Sequence, residues 1–463
     1  RRFRRSLRAL DRALRRGLAL RPTDALARTG IAAREEPDPQ ELRWLDPGRE
    51  VGDLVAEAHS LFPEASTLYA FRGVVVTLDA GGGVRERHRR ILSVRTDSGA
   101  DSAEDIPLAA FDPSRTVFHL TRMSVRDVGG RARGGASITW SGGDLPDVRL
   151  FTPTRFASLS LPRLRAGDTV EVEFELIDVG ASFLPAGSLA REVGVRDISP
   201  TALLRVVGVV PAGTTLLLDA PAEREARTER GTAGERTFVL WEAANIPAVE
   251  LEALAPPLRE VAGAVRLTTF ATWENVGGWL AAMWRFHGED PRLAVRTAGM
   301  DAAAIYRDVA STVRYVAAEY GSHGLAPAAP AVVLSRGWGD CKDKTALLVA
   351  ALDAAGIEAL PALVRTRWAG NDPSGGAFAF PYAFDHVIAY LPPPIDRFVD
   401  PTATRLPWDV LPRSDRGAAA LVLDPAGPRS VVIPDDPPPG EGLDRRDARE
   451  GRDGRPARAQ DGG

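Results

Sequence analysis

The chain has 463 residues but a single cysteine, Cys341, and its two lysines, Lys342 and Lys344, lie within three positions of it, although Lys and Arg together number 58. A thiol becomes a strong nucleophile near neutral pH once its surroundings favour the thiolate. One cysteine excludes an internal disulfide framework and a multi-cysteine zinc site, leaving either a buried structural thiol or a reactive one. A coding bias toward arginine explains why lysine is rare but not why it sits here. The position favours a compact ammonium over a planar guanidinium.

The stretch Arg336-Gly-Trp338-Gly-Asp340-Cys341-Lys342-Asp343-Lys344 leads into an apolar run that Gly356 ends. Asp340 can serve as N-cap with Asp343 in the capping-box position, and Leu347, Leu348, Ala351, Leu352 and Ala355 form one stripe, which predicts a mostly buried helix. Cys341 then occupies the first turn, where backbone N–H groups carry partial positive charge and favour a thiolate. Lys342 and Lys344 add cationic charge in the same turn.

A partner base is available downstream. Residues 357–364, 384–391 and 397–402 read as three strands, with His386 on the second and Asp400 on the third. The connection Pro392-Pro-Pro-Ile-Asp396 is of hairpin length, and a midpoint at Pro393 puts His386 directly opposite Asp400. Opposed side chains have Cβ atoms ~5 Å apart, which suits a carboxylate that orients an imidazole. A nucleophile, a base within hydrogen-bond reach and a third group that holds the base are what nucleophilic catalysis needs.

The blocks Gly339-Asp-Cys341-Lys-Asp-Lys-Thr, Phe384-Asp-His386-Val-Ile and Val399-Asp400-Pro-Thr, in this order, resemble those of bacterial transglutaminase-like proteins, over about 300–424. The resemblance implies a papain-like α+β core, with the cysteine helix on an antiparallel sheet and Cys341, His386 and Asp400 as the catalytic triad. It implies acyl transfer through a thioester, resolved by water or by an amine, with no cofactor. Protease, amidase and protein-glutamine transferase activity all fit. A catalytically silent scaffold is the alternative, and such a site would be expected to have lost a triad residue. Taken singly, a cysteine at a helix start, a strand histidine and an Asp-Pro pair are each ordinary structural features. A metal set of Cys341, His386, Asp340 and Asp400 is a poor one for structural zinc, so no metal is assigned. The backbone N–H of Cys341 is a natural oxyanion donor, and a second could come from Trp338 or from 313–320.

Around this unit the chain reads as multidomain. Residues 1–60 form a helical segment whose basic opening carries Phe3, Leu7, Leu10, Leu14 and Leu18 at helical spacing. Its 18–25 stretch resembles a tetratricopeptide-repeat junction, a possible protein-binding element. Residues 66–285 show period-two runs expected of an antiparallel β-sandwich. In 169–177, Val170, Val172, Phe174 and Leu176 alternate with Glu171, Glu173 and Glu175, which predicts one core face and one solvent face. Arg89-Arg-Ile-Leu, 161–171 and 238–247 resemble the β-rich domain of unknown function that often precedes transglutaminase-like domains in bacteria. Residues 290–434 form the cysteine domain, opening with a helix over 301–320 that carries Ile305, Val309, Val313 and Val316 on one face. Residues 435–463 lack apolar periodicity and read as disordered.

The hydrophobic fraction of 44% and charged fraction of 26% are those of a globular chain, and a net charge of -4 provides no general field for nucleic acid. There is no apolar run long enough to span a bilayer. Arg1 stands first, so a natural N-terminus is expected upstream and localisation, exported or cytoplasmic, stays open.

Overall fold

The computed structural model describes residues 39–435 except 145–146, 148–149, 162, 180–182, 251–257, 285–289, 319–324 and 371–375. The basic opening with its repeat-like junction, and the tail from 436, lie outside the described residues.

The N-terminal half is built on an eight-stranded sheet. In chain order the strands of this half are β1 (Thr67–Leu78), β2 (Val84–Val94), β3 (Asp105–Phe111), β4 (Thr116–Arg126), β5 (Ser137–Gly142), β6 (Arg155–Ser160), β7 (Thr169–Asp178), β8 (Ala190–Gly194), β9 (Thr201–Pro211), β10 (Leu217–Asp219), β11 (Arg227–Ala233), β12 (Arg236–Ile246) and β13 (Ala264–Thr268). The large sheet has the order β11-β12-β9-β1-β2-β7-β4, with Ala132–Arg133 at its edge. Two three-stranded sheets, β8-β13-β10 and β3-β6-β5, pack on it. Val76, Val206 and Leu267 fill one of these interfaces, and Val172, Phe174 and Leu159 fill the other.

The all-antiparallel expectation fails inside the large sheet, and the short pair of Leu150–Phe151 with Ala317–Ala318 is parallel as well. β1 and β9 run parallel, Val75 beside Val207. The chain leaves the large sheet after β7 to form β8 in a small sheet and re-enters alongside β1, the long crossover that a parallel pair requires.

Helices α1 (Pro39–Leu45) and α2 (Val51–Leu61) cover the other face, burying Trp44 against Val75 and Val209, and Leu54 against Phe71 and Ile91. This corrects the solvent face predicted for 169–177. Glu171 and Glu175 are buried. β2 runs beside β7 with arginines on the same face, so Arg87 sits 2.8 Å from Glu175 and Arg89 2.8 Å from Glu171. Glu41 on α1 closes the layer, 2.9 Å from Arg87. A charged row is buried here because each charge meets its opposite.

The C-terminal half is α+β. Helices α3 (Trp273–Met283), α4 (Pro291–Thr297), α5 (Ala302–Thr312), α6 (Pro330–Arg336) and α7 (Cys341–Ala354) accompany the strands β14 (Leu360–Arg365), β15 (His386–Leu391), β16 (Arg397–Val399), β17 (Ala419–Val422) and β18 (Arg429–Val432). These strands form an antiparallel sheet in the order β16-β15-β14-β17-β18. α7 is sandwiched between this sheet and α5: Leu347, Leu348 and Ala351 meet Ala389 and Leu391 on one side and Ile305 and Val309 on the other. The helix predicted over 301–320 ends at Thr312. β-branched residues at 312, 313 and 316 weaken helix continuation, and the chain instead donates from Arg314 N and Val316 N to the carbonyls of Gly337 and Gly339.

α3 joins the two halves. Its Val276 and Leu280, with Phe270 and Trp284, share a cluster with Ala346, Leu363 and Val387 of the cysteine unit and with Leu184 and Ala190. Gly277 allows this approach, since a Cβ there would meet Pro428 at 2.3 Å. Each such buried apolar side chain contributes about 1.5–3 kcal/mol. A fragment of 270–434 is therefore expected to melt at least about 4 °C above one of 290–434; equal melting temperatures would contradict this packing role for α3.

Candidate active site

Cys341 is half-buried at the start of α7, and the elements around it are held by polar contacts that the helix N-terminus requires. Asp340 has an extended backbone and accepts from Asp343 N at 3.2 Å, while the Asp343 carboxylate accepts from Asp340 N at 3.4 Å, which completes the expected capping box. Gly339 is needed beside it, because a Cβ there would lie 2.6 Å from that of Asp343. Asp343 also accepts from Ala328 N at 2.8 Å and pairs with Arg336. The Arg336 guanidinium lies 4.0 Å from the Trp338 ring centroid and donates to Trp338 O. Trp338 thus braces the turn before the cysteine. The first-turn amides of Cys341 and Lys342 have no acceptor within the helix.

The two lysines do different things. Lys342 is buried and paired with Asp340, so its charge is matched rather than offered to the thiol. Burial raises the Asp340 carboxyl above the usual carboxylate range against the opposing pull of Lys342. Lys344 is fully enclosed, its Nζ donating to Ala310 O at 3.0 Å and Val313 O at 2.6 Å. Those carbonyls end α5. Burial pushes Lys344 down to about 8, with the Asp400 charge pulling the other way. An ammonium on a thin stem fits where a guanidinium fork would not.

His386 and Asp400 come together, although not in the predicted register. Ala389 faces Val399 and Leu391 faces Arg397, so the five-residue connection is centred on Pro394 and not Pro393. Carried on, this pairing sets His386 opposite Thr402 and leaves Asp400 on the diagonal. The shift keeps both side chains on one face, since alternation has period two, and a diagonal gap is within reach of an imidazole. His386 Nε2 lies 3.3 Å from Asp400 Oδ2. Burial disfavours the charged imidazole, but hydrogen bonds to Asp400 and Cys341 outweigh it and hold His386 well above its ordinary range. Burial likewise opposes the Asp400 charge, yet His386 and Thr402 keep that carboxyl below its ordinary range.

Several supporting residues escape a reading of the sequence. Thr402 donates to Asp400 Oδ1 from its N and its Oγ1, both at 2.8 Å. Tyr306 on α5 donates to the Asp400 carbonyl at 2.8 Å. Thr345 ties α7 to the Val387 carbonyl at 3.1 Å. Asp385 accepts from Thr366 N at 2.7 Å. The signal for Thr402 is local, an Asp-Pro-Thr turn in which a carboxylate accepts from two residues on. Tyr306 comes from a distant segment, while Thr345 and Asp385 stand within the sequence blocks around Cys341 and His386 and take their partners from other elements. Asp415, also unforeseen, places a carboxylate oxygen within 4.8 Å of the ligating atoms of both His386 and Asp400. These three could share a cation, but His386 and Asp400 already satisfy each other. The arrangement sets an imidazole beside a buried carboxylate, with the thiol of Cys341 as a second influence on the imidazole.

Residues 80–250 match the family DUF3857, a domain of unknown function with a solved structure. No curated protein matches the chain. A crystal structure described as a putative protease from Parabacteroides distasonis superposes with a TM-score of 0.65 at 17% identity, covering 80% of this chain and 72% of that one. An M1 zinc metallopeptidase from Deinococcus radiodurans gives 0.23 at 12% identity, with 47% and 45% covered. A putative cysteine protease from Cytophaga hutchinsonii gives 0.16 at 11%, with 70% and 77% covered. The chain is thus a multidomain, β-rich protein that carries a DUF3857 match and shares its fold with a protein described as a protease. Among the described residues no helix is long and apolar enough to cross a membrane.

Lys344→Met removes the donor that satisfies Ala310 O and Val313 O. Leaving such acceptors buried and unpaired is expected to destabilise the protein by about 1–3 kcal/mol in urea titration. An unchanged midpoint would show that Lys344 does not hold the end of α5.

Proposed function

We infer that 290–434 is a transglutaminase-like unit with a papain-like core that transfers acyl groups from protein or peptide amides through Cys341. The observation that carries this reading is the position of His386, whose Nε2 lies 3.3 Å from Asp400 Oδ2 and whose charged form both Asp400 and Cys341 favour. A structural histidine needs one partner; one placed between a thiol and a buried carboxylate is equipped to move a proton.

In this reading the Cys341 sulfur attacks the carbonyl carbon and the developing oxyanion meets the N–H groups at the start of α7. His386, kept charged by Asp400, gives its proton to the leaving nitrogen as the C–N bond breaks, and a thioester remains. Water, deprotonated by His386, then releases the acid; a substrate amine at this stage would give a new amide instead. Hydrolysis is favoured, because the described fold is shared with a protein described as a protease. The β-rich half, 66–285, would select the substrate or partner.

The reading predicts that iodoacetamide labels Cys341 at pH 6.5 much faster than a free cysteine of pKa about 8.5. As the chain has one cysteine, the label has one destination. Cys341→Ala is expected to abolish turnover of a glutamine-containing peptide, with His386→Ala close behind. Asp400→Asn should keep the fold and lower turnover by up to about 10⁴-fold, as the equivalent change does in a serine triad. Labelling at the rate of a simple thiol, or full turnover by Asp400→Asn, would overturn the assignment.

A further inference from the structure

The loop before β17 carries a buried acid that the proposed mechanism does not use. Asp415 is 1% exposed. Its Oδ1 accepts from Ser414 Oγ at 2.8 Å, while its Oδ2 is enclosed without a hydrogen-bond partner. The loop is pinned on both sides: Arg367 N donates to Ser414 O at 2.8 Å and Gly417 N to Ile433 O at 3.0 Å. Asp415 is therefore held where it is, close to His386 and Asp400. A buried carboxylate oxygen with no donor is costly, and such groups persist where the neighbouring chemistry uses them.

We propose that Asp415 is a positioning residue of this site, a second acid behind the His386–Asp400 pair whose ionisation sets the lower pH limit of Cys341 reactivity. The inference rests on the triad proposed above. The groups that face Asp415 are His386 and Asp385 at the start of β15, Asp400 beyond β16 and Ser414 in its own loop. Lys344 on α7 acts on Asp400. Burial raises the Asp415 carboxyl to about 6, helped by the nearby charges of Asp400 and Asp385 and opposed by His386.

Two states follow. Above pH 6 the ionised Asp415 adds its field to that of Asp400, and the imidazolium between Cys341 and the carboxylates is favoured. Below pH 6 Asp415 carries a proton that needs an acceptor. Asp400 is the adjacent acceptor with charge to offer, and a hydrogen bond from Asp415 competes with that from His386. The pair then titrates together, as interacting carboxyl groups do. The wild-type labelling rate of Cys341 should show an inflection near pH 6.

The sign of the stability effect is also determined. The folded protein binds the Asp415 proton more tightly than an unfolded chain of pKa 3.8, so this group lowers stability as pH rises from 3.8 toward 6. Asp415→Asn is neutral at every pH and is expected to melt no lower than wild type at pH 7.5.

The test is the rate of Cys341 alkylation between pH 5 and 8 in the full chain, for wild type, Asp415→Asn and Asp415→Ser. Wild type should lose about tenfold across the inflection, the size of a one-unit coupling between two sites, over and above the slope of a simple thiol. Both variants should lack the inflection and react at pH 7.5 about tenfold more slowly than wild type. A wild-type profile with fast labelling but no inflection between pH 5 and 7 overturns the role of Asp415 while leaving the triad intact. An inflection that survives in either variant does the same. Slow, thiol-like labelling of the wild type at every pH would instead remove the triad on which the inference rests.

Discussion

Around Cys341 the start of α7 is lined by buried charged groups, Asp340, Lys342 and Asp343, and such groups must each find a partner. Asp340 accepts from Asp343 N, Asp343 accepts from Asp340 N and Ala328 N, and the rest of the site is arranged around the needs of these two acids. Arg336 answers Asp343, Lys342 answers Asp340, and Gly339 leaves room for the box to close. Cys341 is thereby fixed in the first turn of the helix, where backbone N–H groups have no acceptor within the helix. The same first turn sends Lys344 in the opposite direction, where it secures α5. One short segment anchors the helix, positions the thiol and ties down the neighbouring helix.

The sheet completes what the helix begins. Thr345 links α7 to β15 one residue beyond His386, so the thiol and the imidazole belong to one rigid pair of elements. Asp400 is held from three directions, by His386, by Thr402 and through Tyr306 on α5. α3 reaches this assembly from the β-rich half and packs beneath both.

Much of the site is legible in the chain because its contacts are local. The spacing of Asp340 and Asp343, the stripe from Leu347 to Ala355 and the glycine at 356 are separated by a few residues, and the structure contains the capping box and the buried helix they predict. The hairpin register is a near miss with a physical reason: the connection is centred on Pro394, and because the error is even it leaves His386 and Asp400 on one face. Long-range pairings were not visible. The glutamates of β7 look solvated until β2 brings Arg87 and Arg89 to them and Glu41 on α1 closes over Arg87. Lys344 looks like a charge near the thiol until α5 places its last carbonyls against it. Tyr306 and Asp415 each stand in stretches with no motif, and only the folded chain brings them to the site.

The central claim is that Cys341 acts as a nucleophile with His386 as its proton carrier. The most direct measurement is the intact mass of the protein after brief exposure to the 4-nitrophenyl ester of a blocked glutamine peptide. The account predicts one acyl group on Cys341, removed by hydroxylamine, absent from Cys341→Ala and formed far more slowly in folded His386→Ala. Acylation at other residues alone, or at an equal rate without the imidazole, would contradict it.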